Sequence, residues 1–173
     1  MGKLLIGTLM VIFAASYVSA EEVTVSVELV QADGVGKEIG TAVLTDSPYG
    51  LIVTPRLSGL PPGVHGFHVH QHPDCGPAKE GEKMVPALAA AGHFDPQGTG
   101  KHEGPYGKGH LGDLPVLYVD REGRATLPVL APRLNVRDVK DHSLMIHAGG
   151  DNYSDQPEQL GGGGPRIACG VVK

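Results

Sequence analysis

The sequence predicts an all-β fold, an antiparallel sandwich or barrel of eight short strands with two long functional loops. Three observations support this fold class. Short segments alternate apolar and polar residues and are separated by Gly, Pro and Asp, which is typical of strands with one buried face. Helical periodicity is weak, with one short possibility around residues 85–91. Two intervals, 72–114 and 148–165, are too long for turns, and long loops in small domains usually have a function.

The first twenty residues predict a secretory signal peptide. They contain Lys3, an apolar run over residues 4–18, and the small-residue ending Val18-Ser19-Ala20. Cleavage is expected after Ala20, which leaves one domain over residues 21–173. A membrane anchor is the alternative, but the run is shorter than the roughly 18 apolar residues that a spanning helix needs.

The predicted strands follow one another along residues 21–173. In the first, residues 22–30, Val23, Val25, Val27 and Leu29 alternate with polar side chains, so one face is expected to be buried. The other seven predicted strands are residues 39–45, 51–57, 64–71, 116–120, 125–130, 143–147 and 167–172.

The charge balance excludes some partners. The formal net charge is −5, and removal of residues 1–20 takes away Lys3 and no acidic residue, which leaves −6. An acidic chain without basic runs is not expected to bind nucleic acid or anionic membranes.

Cys75 and Cys169 are the two cysteines of the chain. In an exported protein two cysteines favour a disulfide, and two free buried thiols are the alternative. A bridge would close a loop of about 95 residues and stabilise the fold by roughly 4 to 5 kcal/mol in the chain-entropy model.

Three histidines are predicted to lie on the outer face of strands. In a strand His68 and His70 project to one side, while Phe67 and Val69 project to the other. Residues 143–147 repeat the pattern, with Leu144 and Ile146 inward and His147 outward. The three imidazoles are therefore candidates for a single metal site.

The first long loop contains a second candidate set, His93, His102, His110 and Asp113. Three imidazoles and one carboxylate form a complete tetrahedral shell for zinc. A loop fixed at four points by zinc loses much of its conformational entropy, so this site is expected to be structural.

Copper is one candidate metal for the strand histidines. Imidazole suits copper as well as zinc, and copper(II) favours a roughly planar nitrogen set. His93 could supply the fourth ligand, because a deprotonated imidazole can bind one metal with each nitrogen. The three remaining histidines, His65, His72 and His142, are interpreted as surface or hydrogen-bonded residues.

Five stretches together identify a family resemblance. They are GVHGFHVHQ from Gly63, AGHFDP from Ala91, GHLGDLP from Gly109, HSLMIHAGGD from His142 and GGPRIACGVV from Gly163. With them, residues 23–173 resemble the copper,zinc superoxide dismutases, specifically their bacterial secreted branch. The resemblance implies an eight-stranded Greek-key β-barrel, a periplasmic location and a role in antioxidant defence.

The resemblance also assigns roles to matching residues. His68, His70 and His147 are expected to bind copper, and His93 to be the imidazolate shared by copper and zinc. His102, His110 and Asp113 are expected to complete the zinc shell. Cys75 and Cys169 match the family disulfide. Arg166 matches an arginine that guides the anion, and Asp151 a carboxylate that accepts hydrogen bonds from His68 and His102.

The implied reaction converts the superoxide anion to dioxygen and hydrogen peroxide by copper redox cycling, with His93 and Arg166 as catalytic residues. In the scheme that the resemblance implies, His93 would leave copper on reduction and deliver a proton to the second substrate. Arg166 attracts an anion to a net acidic protein, since local charge can raise on-rates by about 10 to 1000-fold. The second loop has no lysine, so Lys79, Lys83 and Lys140 are further candidates for guiding the substrate.

Two other functions are compatible with parts of this pattern. A non-catalytic copper-binding protein would keep the ligands, but it would not need Arg166 or a bridging His93. A zinc hydrolase is disfavoured, because the predicted zinc shell is full and no carboxylate is placed as an obvious base. A homodimer is possible, although the insertion around residues 79–91 resembles the bacterial branch, which does not share the dimer contact of the animal branch.

Overall fold

Antiparallel strands form most of the architecture in the computed structural model, which describes residues 20–173. The predicted signal peptide therefore lies outside the described residues, apart from Ala20. The strands are β1 (Glu22–Gln31), β2 (Gly34–Ser47), β3 (Gly50–Ser58), β4 (Gly63–His65), β5 (Phe67–His70), β6 (Ala78–Glu80), β7 (Lys83–Val85), β8 (Leu117–Val119), β9 (Arg124–Ala125), β10 (Val129–Ala131), β11 (Ser143–His147) and β12 (Arg166–Val171). One short helix, α1 (Val136–Val139), and two 3-10 segments, Leu88–Ala90 and Gln159–Gly162, accompany them.

The main sheet confirms the predicted all-β fold class. Its strand order is β10-β3-β2-β1-β12-β11-β5, with β9 also paired to β3. The hairpin-connected strands β1, β2 and β3 lie side by side, and β12 returns after a long connection to pair with β1. This arrangement is a Greek key. Strands β4 and β8 form a separate antiparallel pair.

The apolar core follows from strand alternation. Val25, Leu44, Val53, Phe67 and Ile146 all belong to one buried cluster between the inner faces of the strands. Burial of each such side chain contributes roughly 1.5 to 3 kcal/mol. This core fixes the backbone of β5 and β11. The candidate site lies on the faces of these two strands that point away from the core.

Strand β1 departs from perfect alternation near its end. Bulges interrupt its pairing with β2 on both sides of Glu28. Because a bulge shifts which side chains face the core, Leu29 is only partly buried and Val30 is buried instead. Leu29 still packs against the main core, as predicted, while Val30 is buried in a second cluster with Cys75, Met145 and Cys169.

Two predicted strands are interrupted in the structure. Residues 64–71 divide at Gly66, whose N–H donates to the carbonyl oxygen of Gly149 at 2.8 Å and whose own carbonyl accepts from His147 N at 2.9 Å. The chain thereby changes partner from β8 to β11. Residues 125–130 divide into β9 and β10 before Val129, next to Pro128, which has no N–H to donate to a ladder.

The first long loop contains structure that the sequence pattern did not reveal. A small hairpin, β6 and β7, and the 3-10 segment Leu88–Ala90 occupy its first half. The loop is tied to β12 by the Cys75–Cys169 disulfide, with a Cα–Cα distance of 5.7 Å. No cysteine is free, so the alternative of two buried thiols is excluded. The short α1 was also not predicted; Asn135 caps it by accepting hydrogen bonds from Arg137 N and Asp138 N.

No helix within residues 20–173 is both long enough and apolar enough to span a membrane.

Candidate metal centre

Strands β5 and β11 place three histidines on one side of the sheet. The strands pair antiparallel, with His68 opposite Met145 and His70 opposite Ser143. Phe67 and Val69 point into the core, as alternation predicts. The histidines point away from this core, but they are not exposed: His68 and His70 are 0% and 1% accessible. The expectation of a strand exterior is corrected here, because the first long loop covers these side chains.

The loop covers the histidines by pairing with the free edge of β5. Val69 N donates to the carbonyl oxygen of Gly112, and Phe94 N donates to that of Val69, both at 2.8 Å. These contacts set His70 beside His93 and His68 beside Asp113 as isolated β-bridges. A side chain at Gly112 would place its Cβ 2.3 Å from the carbonyl oxygen of Val69. Glycine is therefore required for the approach that brings loop and strand ligands together.

Hydrogen bonds fix the tautomers of the strand histidines. His68 donates from Nε2 to Asp151 at 2.8 Å, His70 from Nδ1 to the Ala91 carbonyl at 2.8 Å, and His147 from Nδ1 to the Gly164 carbonyl at 3.0 Å. In a neutral imidazole the other nitrogen then carries a lone pair. The free lone pairs belong to Nδ1 of His68 and to Nε2 of His70 and His147.

These lone pairs converge, as metal ligands do. The Nε2 atoms of His70 and His147 are 3.3 Å apart, and neither carries a hydrogen for the other. His68 Nδ1 and His93 Nε2 are buried without any hydrogen-bond partner. Ligand atoms of His68, His70, His93 and His147 all lie within 4.8 Å of one another. Buried polar atoms normally find partners, so this four-imidazole set fits a metal ion such as copper.

The other nitrogen of His93 faces a second group built around Asp113. Asp113 Oδ1 lies 2.9 Å from His93 Nδ1, 3.1 Å from His102 Nδ1 and 3.5 Å from His110 Nδ1. The Nδ1 atoms of His102 and His110 are buried without a hydrogen-bond partner. Three imidazoles directed at one carboxylate oxygen match the donor set that zinc prefers.

His93 is the residue common to both groups. Its ring centroid lies 3.9 Å from that of His68 and 5.1 Å from that of His70. On the other side the distances are 5.4 Å to His102 and 5.3 Å to His110. The ring therefore occupies the position that a shared ligand would need.

Asp151 connects the two groups behind the ligands. Its Oδ2 accepts from His68 Nε2 at 2.8 Å and its Oδ1 from His102 Nε2 at 2.7 Å. A Cβ on Gly161 would lie 2.0 Å from Asp151 Oδ1, so the second loop needs glycine there. Carboxylates of this kind set the orientation and basicity of ligating imidazoles.

Burial keeps the strand histidines neutral. Loss of solvation and the neighbouring His93 lower the pKa of His68 to about 3, although Asp151 opposes the shift. Burial likewise lowers the pKa of His147 to about 4 and that of His70 well below its ordinary value. Neutral imidazole is the form that binds metal.

The carboxylates reverse this effect at His102. Burial again favours the neutral ring, but the Asp113 carboxylate, 3.1 Å from Nδ1, and the hydrogen bond from Nε2 to Asp151 outweigh it and raise the pKa of His102 to about 9. Burial opposes ionisation of both carboxyl groups, yet their histidine partners hold the pKa of Asp113 and of Asp151 well below the ordinary value. The Asp113 side of the site is thus rich in negative charge.

Arg166 lies beside the four-imidazole set. It begins β12 and pairs across the sheet with His147. Its Nη1 donates to the Ala87 carbonyl at 2.5 Å and its Nη2 to the Ala91 carbonyl at 2.6 Å. The Ala91 oxygen also accepts from His70. The guanidinium is therefore bonded to loop carbonyls and is half-buried, with further N–H groups available.

The other histidines have structural contacts. His65 is buried beneath the site, 2.7 Å from the carbonyl oxygen of His147 and 2.8 Å from that of Pro61. His142 contacts the carbonyl oxygen of Gln71 at 2.7 Å, and His72 is exposed. These placements agree with their interpretation as hydrogen-bonded or surface residues.

Sequence reasoning missed residues that support the ligands through the backbone. Asp155 accepts from His102 N at 2.9 Å, and the Tyr153 hydroxyl accepts from Val116 N at 3.0 Å. Their positions in the second loop gave no further signal, because both contacts join residues more than 35 positions apart.

Comparisons with known proteins agree with this geometry. The copper/zinc superoxide dismutase family model matches residues 38–172. "Superoxide dismutase [Cu-Zn] 2" of Salmonella typhimurium is 57% identical over 163 residues, which cover 94% of each chain. The Cu/Zn superoxide dismutase structure from Brucella abortus superposes with a TM-score of 0.87 at 50% identity, covering 88% of this chain and all of that one.

A second solved structure has similar agreement. The monomeric copper, zinc superoxide dismutase from Salmonella enterica has a TM-score of 0.80 and 58% identity, and covers 88% of this chain and all of that one. The family model, the sequence relatives and the solved structures all indicate the same family. The chain belongs to the copper/zinc superoxide dismutase family.

Proposed function

We propose that the protein converts superoxide to dioxygen and hydrogen peroxide, with copper held by His68, His70, His93 and His147 and zinc held by His93, His102, His110 and Asp113. The observation that carries this proposal is the position of His93. One ring nitrogen, Nε2, is buried without a partner on the side of the strand histidines, and the other, Nδ1, is 2.9 Å from Asp113. A redox metal and a structural metal can therefore share one ligand.

His110 is assigned to zinc in preference to His68. By distance alone, His68 groups with His93, His102 and Asp113. However, Nε2 of His68 donates to Asp151, which leaves only Nδ1 for a metal, and that atom belongs to the four-imidazole set. His110 Nδ1 is buried, has no hydrogen-bond partner, and lies 3.5 Å from Asp113 Oδ1.

Copper, when bound, supplies the chemistry by accepting an electron from one superoxide anion and returning it to another. The chain supplies protons and position. His93 has Nδ1 turned to the Asp113 side; with Nδ1 held there by zinc, Nε2 would be the nitrogen that takes up a proton and gives it to the reduced product. Asp151 keeps Nε2 of His68 protonated and its Nδ1 free, so that His93 is the residue placed to exchange a proton.

Arg166 attracts and orients the substrate. Its two hydrogen bonds to the Ala87 and Ala91 carbonyls hold the guanidinium next to His70. An arginine that is fixed in this way keeps its charge and has donors left for an anion. This local positive charge can attract superoxide although the net charge of the chain is −5.

The protein acts in the periplasm after secretion. Residues 1–20 have the pattern of a cleaved signal, and residues 21–173 form the mature enzyme domain. The Cys75–Cys169 disulfide suits an oxidising compartment. A homodimer stays a prediction, which sedimentation velocity of the mature protein can test; the Salmonella enterica relative is described as monomeric.

Metal analysis combined with an activity assay tests the proposal. Purified protein should contain one copper and one zinc per chain and consume superoxide, and selective removal of copper should abolish consumption while zinc remains. Copper binding without superoxide consumption would instead indicate a copper-binding protein without catalysis. Retention of activity without copper would contradict the proposed chemistry.

A further inference from the structure

We propose that Arg133 is a positioning residue for zinc, which holds the turn between His102 and His110 in its ligand-binding conformation. The inference rests on the proposed zinc site and goes beyond it, because Arg133 contacts neither the metal ligands' rings nor the substrate. Its contacts are to backbone carbonyls of the turn.

Arg133 is attached to a rigid part of the fold. It follows β10 and precedes α1, and the neighbouring side chains of Ala131, Leu134 and Val136 are all buried in the core. Leu134 N donates to the Ala131 carbonyl at 3.3 Å, and Val136 N donates to Asp46 at 2.7 Å. The backbone that carries the guanidinium is therefore fixed independently of the loop.

The guanidinium donates to four carbonyl oxygens of one turn. Nε donates to Pro105 at 3.0 Å and Nη1 to Gly109 at 3.0 Å. Nη2 donates to Gly104 at 3.1 Å and to His110 at 2.5 Å. The last of these acceptors belongs to a proposed zinc ligand itself, so the position of Arg133 is transmitted directly to the His110 backbone.

The turn depends on such support because of its composition. Residues 104–110 include Gly104, Gly107 and Gly109, and Gly104 has a φ of +68°. Glycine loses more conformational freedom on ordering than any other residue. The exposed Tyr106 at its tip does not anchor the turn in the core. Four charge-assisted hydrogen bonds therefore restrict a segment that has two zinc ligands at its ends.

Tyr153 supports the same turn from the second loop. A Cβ on Gly104 would lie 2.7 Å from the Tyr153 side chain, so the turn packs closely against this residue. Tyr153 N donates to Asp151 Oδ1 at 2.7 Å, and its hydroxyl accepts from Val116 N at 3.0 Å. The turn is held between Arg133 and Tyr153, and within residues 20–173 Arg133 is the side chain that donates to its carbonyl oxygens.

Lysine cannot replace this arrangement. Three different nitrogens of one planar group make the four bonds, whereas an ammonium is a single point of donation. Within residues 20–173, Arg133 forms no ion pair with a carboxylate. Arg133 therefore acts through the geometry of its N–H donors. A lysine at this position keeps the positive charge and is not expected to restore zinc affinity fully.

Zinc affinity tests this role and can be measured by competition with a chromogenic chelator. The variants are Arg133→Gln and Arg133→Lys, and the exposed Arg121→Gln is the control. Loss of a residue that orients metal ligands from outside the coordination shell typically costs about 10 to 100-fold in affinity. Zinc affinity should fall about tenfold or more in Arg133→Gln and by an intermediate amount in Arg133→Lys, while Arg121→Gln matches the wild type. Cobalt(II) bound in place of zinc should show an altered visible spectrum in the Arg133 variants, with copper affinity unchanged.

Three outcomes would overturn the proposal. The first is wild-type zinc affinity and cobalt spectrum in Arg133→Gln or, if that variant does not fold, in Arg133→Lys. The second is an equal loss of copper and zinc with a lower melting temperature of the metal-free protein, which would mean a general folding role. The third is full rescue by lysine. Failure of the zinc site itself is distinguishable, because Asp113→Ala would then bind zinc as the wild type does.

Discussion

The two groups of side chains on either side of His93 differ in their charge. On the strand side, the imidazoles are buried between β5, β11 and the loop. Backbone carbonyls orient two of these imidazoles, His70 and His147. The Asp113 side adds buried carboxylates, which raise the pKa of His102 to about 9. The first environment presents neutral nitrogen donors, and the second concentrates negative charge around an otherwise similar set of rings.

This difference matches the tasks of the two metals. In the proposed assignment all four copper ligands are ring nitrogens, whereas the zinc ligands include the Asp113 carboxylate, and these donor types suit copper and zinc respectively. Asp151 belongs to both sides, since it accepts from His68 and from His102. The comparison teaches that one ring, His93, can border two groups of side chains with different charge.

Substitution of a strand histidine should have the largest effect, because it removes a proposed copper ligand and leaves the Asp113 side of His93 intact. His70→Gln should lose copper and reduce superoxide consumption by at least about 100-fold, the upper range for loss of a residue that only supports a metal ligand. Zinc content should remain near one per chain. Metal analysis and the dismutation rate check both statements, with the exposed His72→Gln as control. Loss of zinc together with copper would show that the two sides are not separable.

Removal of the carboxylate should affect stability in particular. Asp113→Ala leaves His93, His102 and His110 without their anionic partner in a buried site, where breaking a charge pair costs about 3 to 5 kcal/mol. For a chain of this size the melting temperature should fall by roughly 6 to 20 °C, even with copper present. Scanning calorimetry measures the shift, and the exposed Asp33→Ala should change it little. An unchanged melting temperature would argue against a structural zinc.

The pH dependence of metal affinity should distinguish the two sides of His93 without any substitution. Because the pKa of His102 is about 9, that ring is protonated at pH 7 in the absence of zinc and must release a proton to bind it. Zinc affinity of the copper-free protein should therefore rise about tenfold per pH unit between pH 7 and 9. The pKa values of His68 and His147, about 3 and 4, predict no such dependence for copper in the zinc-free protein. Chelator competition across this range tests both, and parallel slopes would contradict the comparison.

Reversal of charge at Arg166 should have the smallest effect, confined to the strand side. Arg166→Glu should slow dismutation about tenfold, at the low end of electrostatic steering, and should flatten or invert its salt dependence. Copper and zinc contents should stay at wild-type values. Stopped-flow rates at several ionic strengths provide the measurement, with Arg121→Glu as control. Equal rates for Arg166→Glu and wild type at low salt would exclude a guiding role.

Much of this organisation follows from local sequence. Alternation alone places His68 and His70 on one face and Phe67 on the other, and β11 begins and ends at the predicted residues, Ser143 and His147. Spacing within the long loop singles out His93, His102, His110 and Asp113 as a possible zinc set. The strand predictions succeed because they depend on the strand period, whereas the zinc set, which depends on the chemistry of the residue types, stays a prediction.

Other features depend on contacts between distant residues and leave no local pattern. The burial of His68 results from loop pairing at Val69, Phe94 and Gly112. The division of a predicted strand at Gly66 results from hydrogen bonds with residues 147 and 149. Arg133 is an ordinary arginine in the sequence, and only the fold brings it to four carbonyls of a turn more than 20 residues away.

The shared position of His93 is tested most directly by electron paramagnetic resonance of protein loaded with copper(II) and with cobalt(II) in place of zinc. If the two nitrogens of His93 bind the two ions, magnetic coupling through the ring should remove most of the copper signal, and the signal should return when cobalt is withdrawn. A copper signal of full intensity in the doubly loaded protein would show two unconnected centres and would contradict the account.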